Sequence, residues 1–246
     1  ADFTSAVAAA REANARARLT VKLDGKEIVV TATGTAAHGS TPKDGHNAII
    51  DIVEFLYELN STCGTPQHWV AMFVNEFIRE DTGGHGLGIA LNDSIMGATT
   101  VNVGRIGMDG DSAWVKLDIR FPRGLTSDSI FETITERIRN FDEEFSAGLL
   151  VTRRSSGLKP IYVSAESDLV RSLLRSYEDV YGGEAKPVSI AGTTYAKLLP
   201  NAVSFGPALP GEKNRAHTGG EFITSSELDN LVRAYVTAFF RLTAAP

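Results

Sequence analysis

The chain has 246 residues, 43% hydrophobic and 22% charged, with 24 basic and 30 acidic side chains and a net charge of −6. This is the profile of a folded globular protein with room for one large domain or two ordinary ones, and it excludes a disordered chain. No Lys/Arg cluster marks a nucleic-acid surface, and no apolar run nears the roughly 20 residues of a membrane span. The lone cysteine, Cys63, excludes an intrachain disulfide framework and fits a reducing cytoplasm. No basic-then-apolar leader is visible, and the first residue is Ala1 rather than Met, so the chain reads as processed or as a fragment.

In chain order, Ala-rich residues 3–17 predict a helix. Leu19–Leu23 and Glu27–Thr33 predict strands joined at Asp24-Gly25, a hairpin signal. A Gly/Ser/Thr/Pro loop holding His38 leads into a helix over about 45–60, with Ile49, Ile52, Val53, Leu56 and Leu59 on one face. A second helix is predicted over 69–79, followed by a Gly-rich irregular stretch, 81–97. Strands at 99–106 and 112–121 follow; in the latter, Val115, Leu117 and Ile119 alternate with Lys116, Asp118 and Arg120. A helix over 127–142 and a strand at 149–154 complete a β–α–β–β–α–β order, which suggests a ferredoxin-like two-layer sandwich.

A polar Gly/Pro segment at 155–160 marks a boundary, giving domains 1–157 and 158–246. Beyond it the pattern predicts a helix led by Ser164 and running to Tyr181, and short strands near 187–190 and 202–205. A last helix opens on the capping box Thr224-Ser-Ser-Glu227. Two helices and short strands make a thin core, as expected of the C-terminal part of an open α/β domain.

Three residues carry candidate chemistry, each with a plainer alternative. His217 follows two Gly-rich turns and precedes a helix. It is either a solvent-facing loop residue or a zinc ligand, and one His cannot make a zinc site. His38, on a tight turn after a strand, is an ordinary loop histidine or a donor to an oxyanion. Arg120 is a structural ion pair with Asp118 or a bidentate clamp on a substrate carboxylate. His46, Asn47, His68 and His85 read as surface residues or residues leading into helices. Ala191-Gly192-Thr193-Thr194-Tyr195 lets backbone approach a ligand closely. No Walker loop, nucleophile elbow or dinucleotide fingerprint occurs.

Taken together, these motifs resemble the dinuclear-zinc metallopeptidase family of carnosinases, aminoacylases and peptidase V-type dipeptidases. The carriers are Ala-Ala-His-Gly-Ser-Thr-Pro-Lys-Asp-Gly-His-Asn-Ala-Ile (36–49), Val-Asn-Val-Gly (101–104), Lys-Leu-Asp-Ile-Arg-Phe-Pro (116–122), Ala-Gly-Thr-Thr-Tyr-Ala-Lys (191–197) and Ala-His-Thr-Gly-Gly-Glu (216–221). Residues 86–97 are similar to a segment of the peptidase V-like branch. The resemblance implies that His38 is the lid histidine polarising the scissile carbonyl, and that Asn102 and Arg120 bind substrate. It further implies that Gly192, Thr193 and Tyr195 form a substrate wall and that His217 binds zinc. The register of Thr193 against Thr194 stays open, and Gly220-Glu221 stands where relatives often have Asn-Glu.

The resemblance assigns no residues of this sequence to the family's His-x-Asp motif, bridging Asp, general-base Glu-Glu pair or further carboxylate ligand. The implied reading is a C-terminal fragment, a lid plus the end of a catalytic domain, from a cytoplasmic dipeptidase with two zinc ions. Alone it is expected to be inactive, to hold zinc incompletely, and to self-associate through its incomplete catalytic part. Small peptides are the expected partners, without nucleic acid or membrane. An aminoacylase-like deacylase and a non-catalytic ferredoxin-like binding module are the alternatives.

Overall fold

A computed structural model describes residues 4, 7, 8, 12, 18–24, 27–63, 68–152, 157–206 and 220–244. The chain divides into two units, Ala1–Lys159 and Pro160–Pro246. Of the predicted first helix, Thr4, Val7, Ala8 and Glu12 are helical, and its other residues lie outside the described ones.

In the first unit, β1 (Leu19–Asp24) and β2 (Glu27–Ala32) pair antiparallel from Leu19 opposite Ala32 to Asp24 opposite Glu27, the hairpin that the Asp-Gly signal implies. Next come a 3₁₀ turn (Pro42–Asp44), α1 (Ala48–Cys63) and α2 (Trp69–Phe77). The Gly-rich stretch is ordered rather than loose. It contains a two-residue ladder between β3 (Asn92–Asp93) and β4 (Gly97–Ala98), and its Leu87 and Ile89 are fully buried. A long hairpin, β5 (Thr100–Asp109) with β6 (Ser112–Arg120), and α3 (Ser127–Phe145) follow.

Strand periodicity and one bulge decide which hairpin side chains face the core. Val101 and Val103 point inward, and a register shift between Val103 and Arg105 inserts Gly104. Without that extra residue Arg105 would follow Val103 inward; with it, Ile106 does, packed on the core beside Val115, Leu117 and Ile119. Val53 of α1, Ala71, Phe73 and Val74 of α2, and Ile130, Ile134 and Phe141 of α3 fill the same cluster. Phe141 sits edge-on to Trp69, Phe73 and Phe77, an arrangement that favours aromatic quadrupoles. Phe55 and Leu59 leave α1 on its other side and join Val7, with Leu19, Val21 and Val30 packed against them. Thus α1 is shared between the two hairpins.

The strand expected at 149–154 does not form over its described residues. Residues 149–152 form no ladder, although Leu149 and Val151 pack on the core while Leu150 stays 91% exposed. The alternation of a strand is present without a partner to hydrogen-bond it. Strand pairing among the described residues is therefore limited to three two-stranded ladders instead of one continuous sheet.

In the second unit, α4 (Asp168–Tyr181) packs against α5 (Ser225–Thr243), and Arg241 Nη2 meets Asp179 Oδ2 at 2.5 Å. The predicted start of α4 at Ser164 is too early. Ser164 closes a turn with the Ser167 N–H, and the Ser167 hydroxyl then caps the helix by accepting from Val170 N at 3.2 Å. The capping box of α5 forms as read: Thr224 Oγ1 accepts from Glu227 N, and a Glu227 carboxylate oxygen from Thr224 N. Residues 187–190 and 202–205 are not strands, and Val188 and Ile190 are exposed. Along α5, Leu228, Val232, Tyr235 and Phe239 form an exposed stripe at helical spacing, with Phe239 73% exposed.

Candidate functional site

The loop that carries His38 is closed at its base. Thr35 and His46 exchange both backbone hydrogen bonds at 2.9 Å, tying the loop's two ends together. Gly34 and Gly45 permit this crossing, since a Cβ on either would stand 2.5 Å from a carbonyl oxygen of the opposite strand. His46 then turns its ring to the buried carboxylate of Asp51 in α1, Nε2 to Oδ2 at 2.7 Å. Of the two readings of His46, a surface residue or one leading into a helix, the geometry fits the second: it pins the loop to the first turn of α1. His85 likewise bonds Asp81, at 3.0 Å.

Within the loop, the Ser40 backbone N–H donates to His38 Nδ1 at 3.2 Å, and Ser40 Oγ lies 2.7 Å from the same nitrogen. Ser40 is itself buried. An Nδ1 that accepts a backbone N–H carries no proton, so the neutral ring holds its hydrogen on Nε2. His38 thus presents an Nε2–H donor.

Asn102 enters from β5. Asn47, the residue before α1, accepts Ile49 N on its Oδ1 at 3.0 Å as a helix cap, and its Nδ2 donates to Val103 O at 2.9 Å and to Asn102 Oδ1 at 3.3 Å. With its carbonyl occupied, Asn102 turns its amide NH2 the other way. Gly39 lies on that side: a Cβ there would be 3.7 Å from Asn102 Nδ2 and 3.0 Å from Asp118 Oδ2. His38, Asn47 and Asn102 line one open cleft of about 300 Å³.

Asp118 stands directly across the hairpin from Asn102, and Arg120 across from Thr100, so all four share the hairpin face turned away from the core. Arg120 grips Asp118 through Nε to Oδ1 at 2.8 Å and Nη2 to Oδ2 at 2.9 Å. The plainer reading of Arg120 is therefore what its geometry displays, an ion pair that fixes the plane of the guanidinium. Ser40, Asn47 and Asp118 were not singled out as site residues. Asn immediately before an apolar helix is a capping signal that could have marked Asn47.

The second unit holds the other candidates, described by itself. Gly192 and Thr193 lead into a short 3₁₀ turn, Tyr195–Leu198, and Tyr195 is 86% exposed. Thr194, not Thr193, caps that turn in position, and its hydroxyl pairs with Ser204 Oγ at 2.7 Å. His217 lies outside the described residues. Among the described residues, no group of three or more His, Cys, Asp and Glu comes together that could hold a metal ion. Those residues therefore do not make the two-zinc centre that the resemblance implies. Nor is any helix among them long and apolar enough to cross a membrane.

Residues 25–146 match the peptidase dimerisation domain, the stretch from β2 to the end of α3. Over these residues the chain is similar to a domain of peptidases. Its fold class is α/β, with the dimerisation domain of the ferredoxin-like kind. A Staphylococcus haemolyticus protein named "Putative dipeptidase" is 27% identical over 221 residues, covering 89% of this chain and 45% of the relative. A Staphylococcus aureus protein of the same name is 28% identical over the same shares. The chain thus spans about half the length of the curated relatives it matches.

Proposed function

We propose that this chain is part of a longer metal-dependent dipeptidase, with residues 1–157 as its substrate-binding lid and 158–246 as the end of its catalytic domain. The observation that carries the reading is the locked ring of His38, whose Nδ1 is occupied by Ser40 so that Nε2–H is the donor. Water addition to a peptide carbonyl puts negative charge on its oxygen, and a fixed donor aimed there stabilises that charge more than it stabilises the ground state. The amide NH2 of Asn102, oriented by Asn47, donates to a substrate carbonyl, and Arg120 binds the terminal carboxylate with its plane set by Asp118. In the second unit, taken by itself, the same resemblance makes Gly192, Thr193 and Tyr195 candidate substrate-binding residues.

In the longer protein His217 would be this chain's ligand to two zinc ions, which would supply an activated water, and the remaining ligands would come from other parts of that protein. The relatives' names and the peptidase family support the dipeptide reading. An aminoacylase-like deacylase differs from it only in the acyl side of the substrate. A non-catalytic binding module leaves the His38, Asn102 and Arg120 arrangement without a use. We place the protein in the cytoplasm and infer self-association through the dimerisation domain.

The test is His38→Ala in the full-length protein. It lowers kcat by about 10²–10³ with little change in KM, as expected for one lost oxyanion donor. A kcat within about threefold of the parent, far short of that loss, would leave His38 an ordinary loop residue.

A further inference from the structure

The His38 loop is a saddle with a second cleft on its far side. This one, of about 490 Å³, is bounded by Ser40–Asp44 on one flank and by Thr82, His85, Ala90–Asn92 and Ala98–Thr100 on the other. Pro42 lines both clefts, so they are separated by a single turn. The volume is within the range of small-molecule sites, roughly 300–1,000 Å³. We infer that this cleft is a specificity subsite taking the uncharged aliphatic side chain of the dipeptide's C-terminal residue, an inference that rests on the proposed dipeptidase reading.

Position gives the first argument. Thr100 lines the cleft and is the cross-strand partner of Arg120. Directly opposed residues of an antiparallel pair lie about 5 Å apart. That separation suits an amino acid whose carboxylate meets Arg120 and whose side chain, leaving the same Cα, drops beside Thr100.

Lining gives the second argument. Pro42, Ala90, Leu91 and Ala98 supply apolar wall, and Lys43 and Asp44 carry opposite charges, so no single sign of charge is favoured there. The wall is firm, because Leu87 and Ile89 just before it are fully buried. Asp81 also accepts the Gly83 and Gly86 N–H groups at 3.0 and 2.8 Å, fixing the loop at the other end of this flank.

The experiment compares Ala-Leu, Ala-Gly and Ala-Asp on the full-length protein, by calorimetric binding to the metal-stripped form and by kcat/KM of the metal-loaded form. Ala-Leu is favoured over Ala-Gly and over Ala-Asp by about tenfold, the lower end of what a hydrophobic pocket discriminates. Ala98→Phe, whose larger side chain on an exposed ladder residue fills the cleft, brings Ala-Leu down to the level of Ala-Gly. Leu91→Asp, a second variant on the same wall, does the same. A Leu-to-Gly preference that is absent, or that both variants leave intact, overturns the subsite while the dipeptidase reading stands. Failure to bind or hydrolyse any of the three peptides overturns that reading and the subsite with it.

Discussion

The side-chain amide of Asn47 donates to the Oδ1 of Asn102, joining the first residue ahead of α1 to the start of β5 across 55 positions of sequence. One asparagine thereby caps a helix and sets which way a neighbouring amide points. Asn47→Ala should cost about 1–2 kcal/mol of unfolding free energy, the cap and its companion hydrogen bonds lost together. Asn47→Asp keeps an acceptor for Ile49 N–H but sets a carboxylate against Val103 O and Asn102 Oδ1. Urea unfolding should show it at least as destabilised as the alanine variant; full recovery by Asp would mean that capping is the whole role.

Arg120→Ala should raise KM for dipeptides with a free carboxylate and leave C-terminally amidated ones nearly unchanged. Its stability cost should stay within about 1 kcal/mol, because the pair with Asp118 is partly exposed to water. Arg120→Lys should not restore binding, since an ammonium cannot reproduce the planar fork. Equal losses on free and amidated peptides would assign Arg120 to the ion pair alone.

Two hydroxyls are buried in the first unit without a hydrogen-bond partner among the described residues, Thr82 Oγ1 and Thr100 Oγ1. Leaving such a group unpaired costs about 1–3 kcal/mol. Thr82→Val, which keeps the shape and removes the hydroxyl, should therefore raise the urea midpoint by the equivalent of about 1 kcal/mol. A lowered midpoint would show that the hydroxyl is paired after all.

Asp93 sets an acid limit on the loop around β3. Its carboxyl is lowered to about 2, first by the Arg123 guanidinium at 2.6 Å and then by the N–H groups of Met96 and Ile95. A depressed carboxylate stabilises the fold above its ordinary pKa of 3.8 and loses that contribution as pH falls towards about 2. Asp93→Asn should be less stable than the parent at neutral pH, with the gap closing between about pH 4 and 2. Parallel unfolding curves across that window would refute it.

Helix and hairpin existence were legible because each rests on a local period: Val115, Leu117 and Ile119 alternate, and Thr224 and Glu227 sit three apart. The failures at 149–152, 187–190 and 202–205 have one cause. Their β-like composition says nothing about whether a partner strand is at hand, and a strand without one forms no ladder. The site shows the same division. His38, Asn102 and Arg120 stood out by motif, while what holds them did not: the Ser40 N–H comes from backbone, and the Asn47 contacts with Asn102 and Val103 are tertiary. Only the Asp118–Arg120 pair was visible at both levels, because a spacing of two on a strand puts both side chains on one face.

Trp69 lies among the phenylalanines of the main core and Trp114 on the β5–β6 hairpin beside the Arg105 guanidinium, and the sequence has 2 tryptophans in all. Both belong to the first unit. Intrinsic indole fluorescence therefore reports from the first unit, since residues 160–246 carry no tryptophan of their own. A fluorescence-monitored transition and one followed by far-ultraviolet dichroism measure different things here, and their midpoints separate wherever the two units unfold independently.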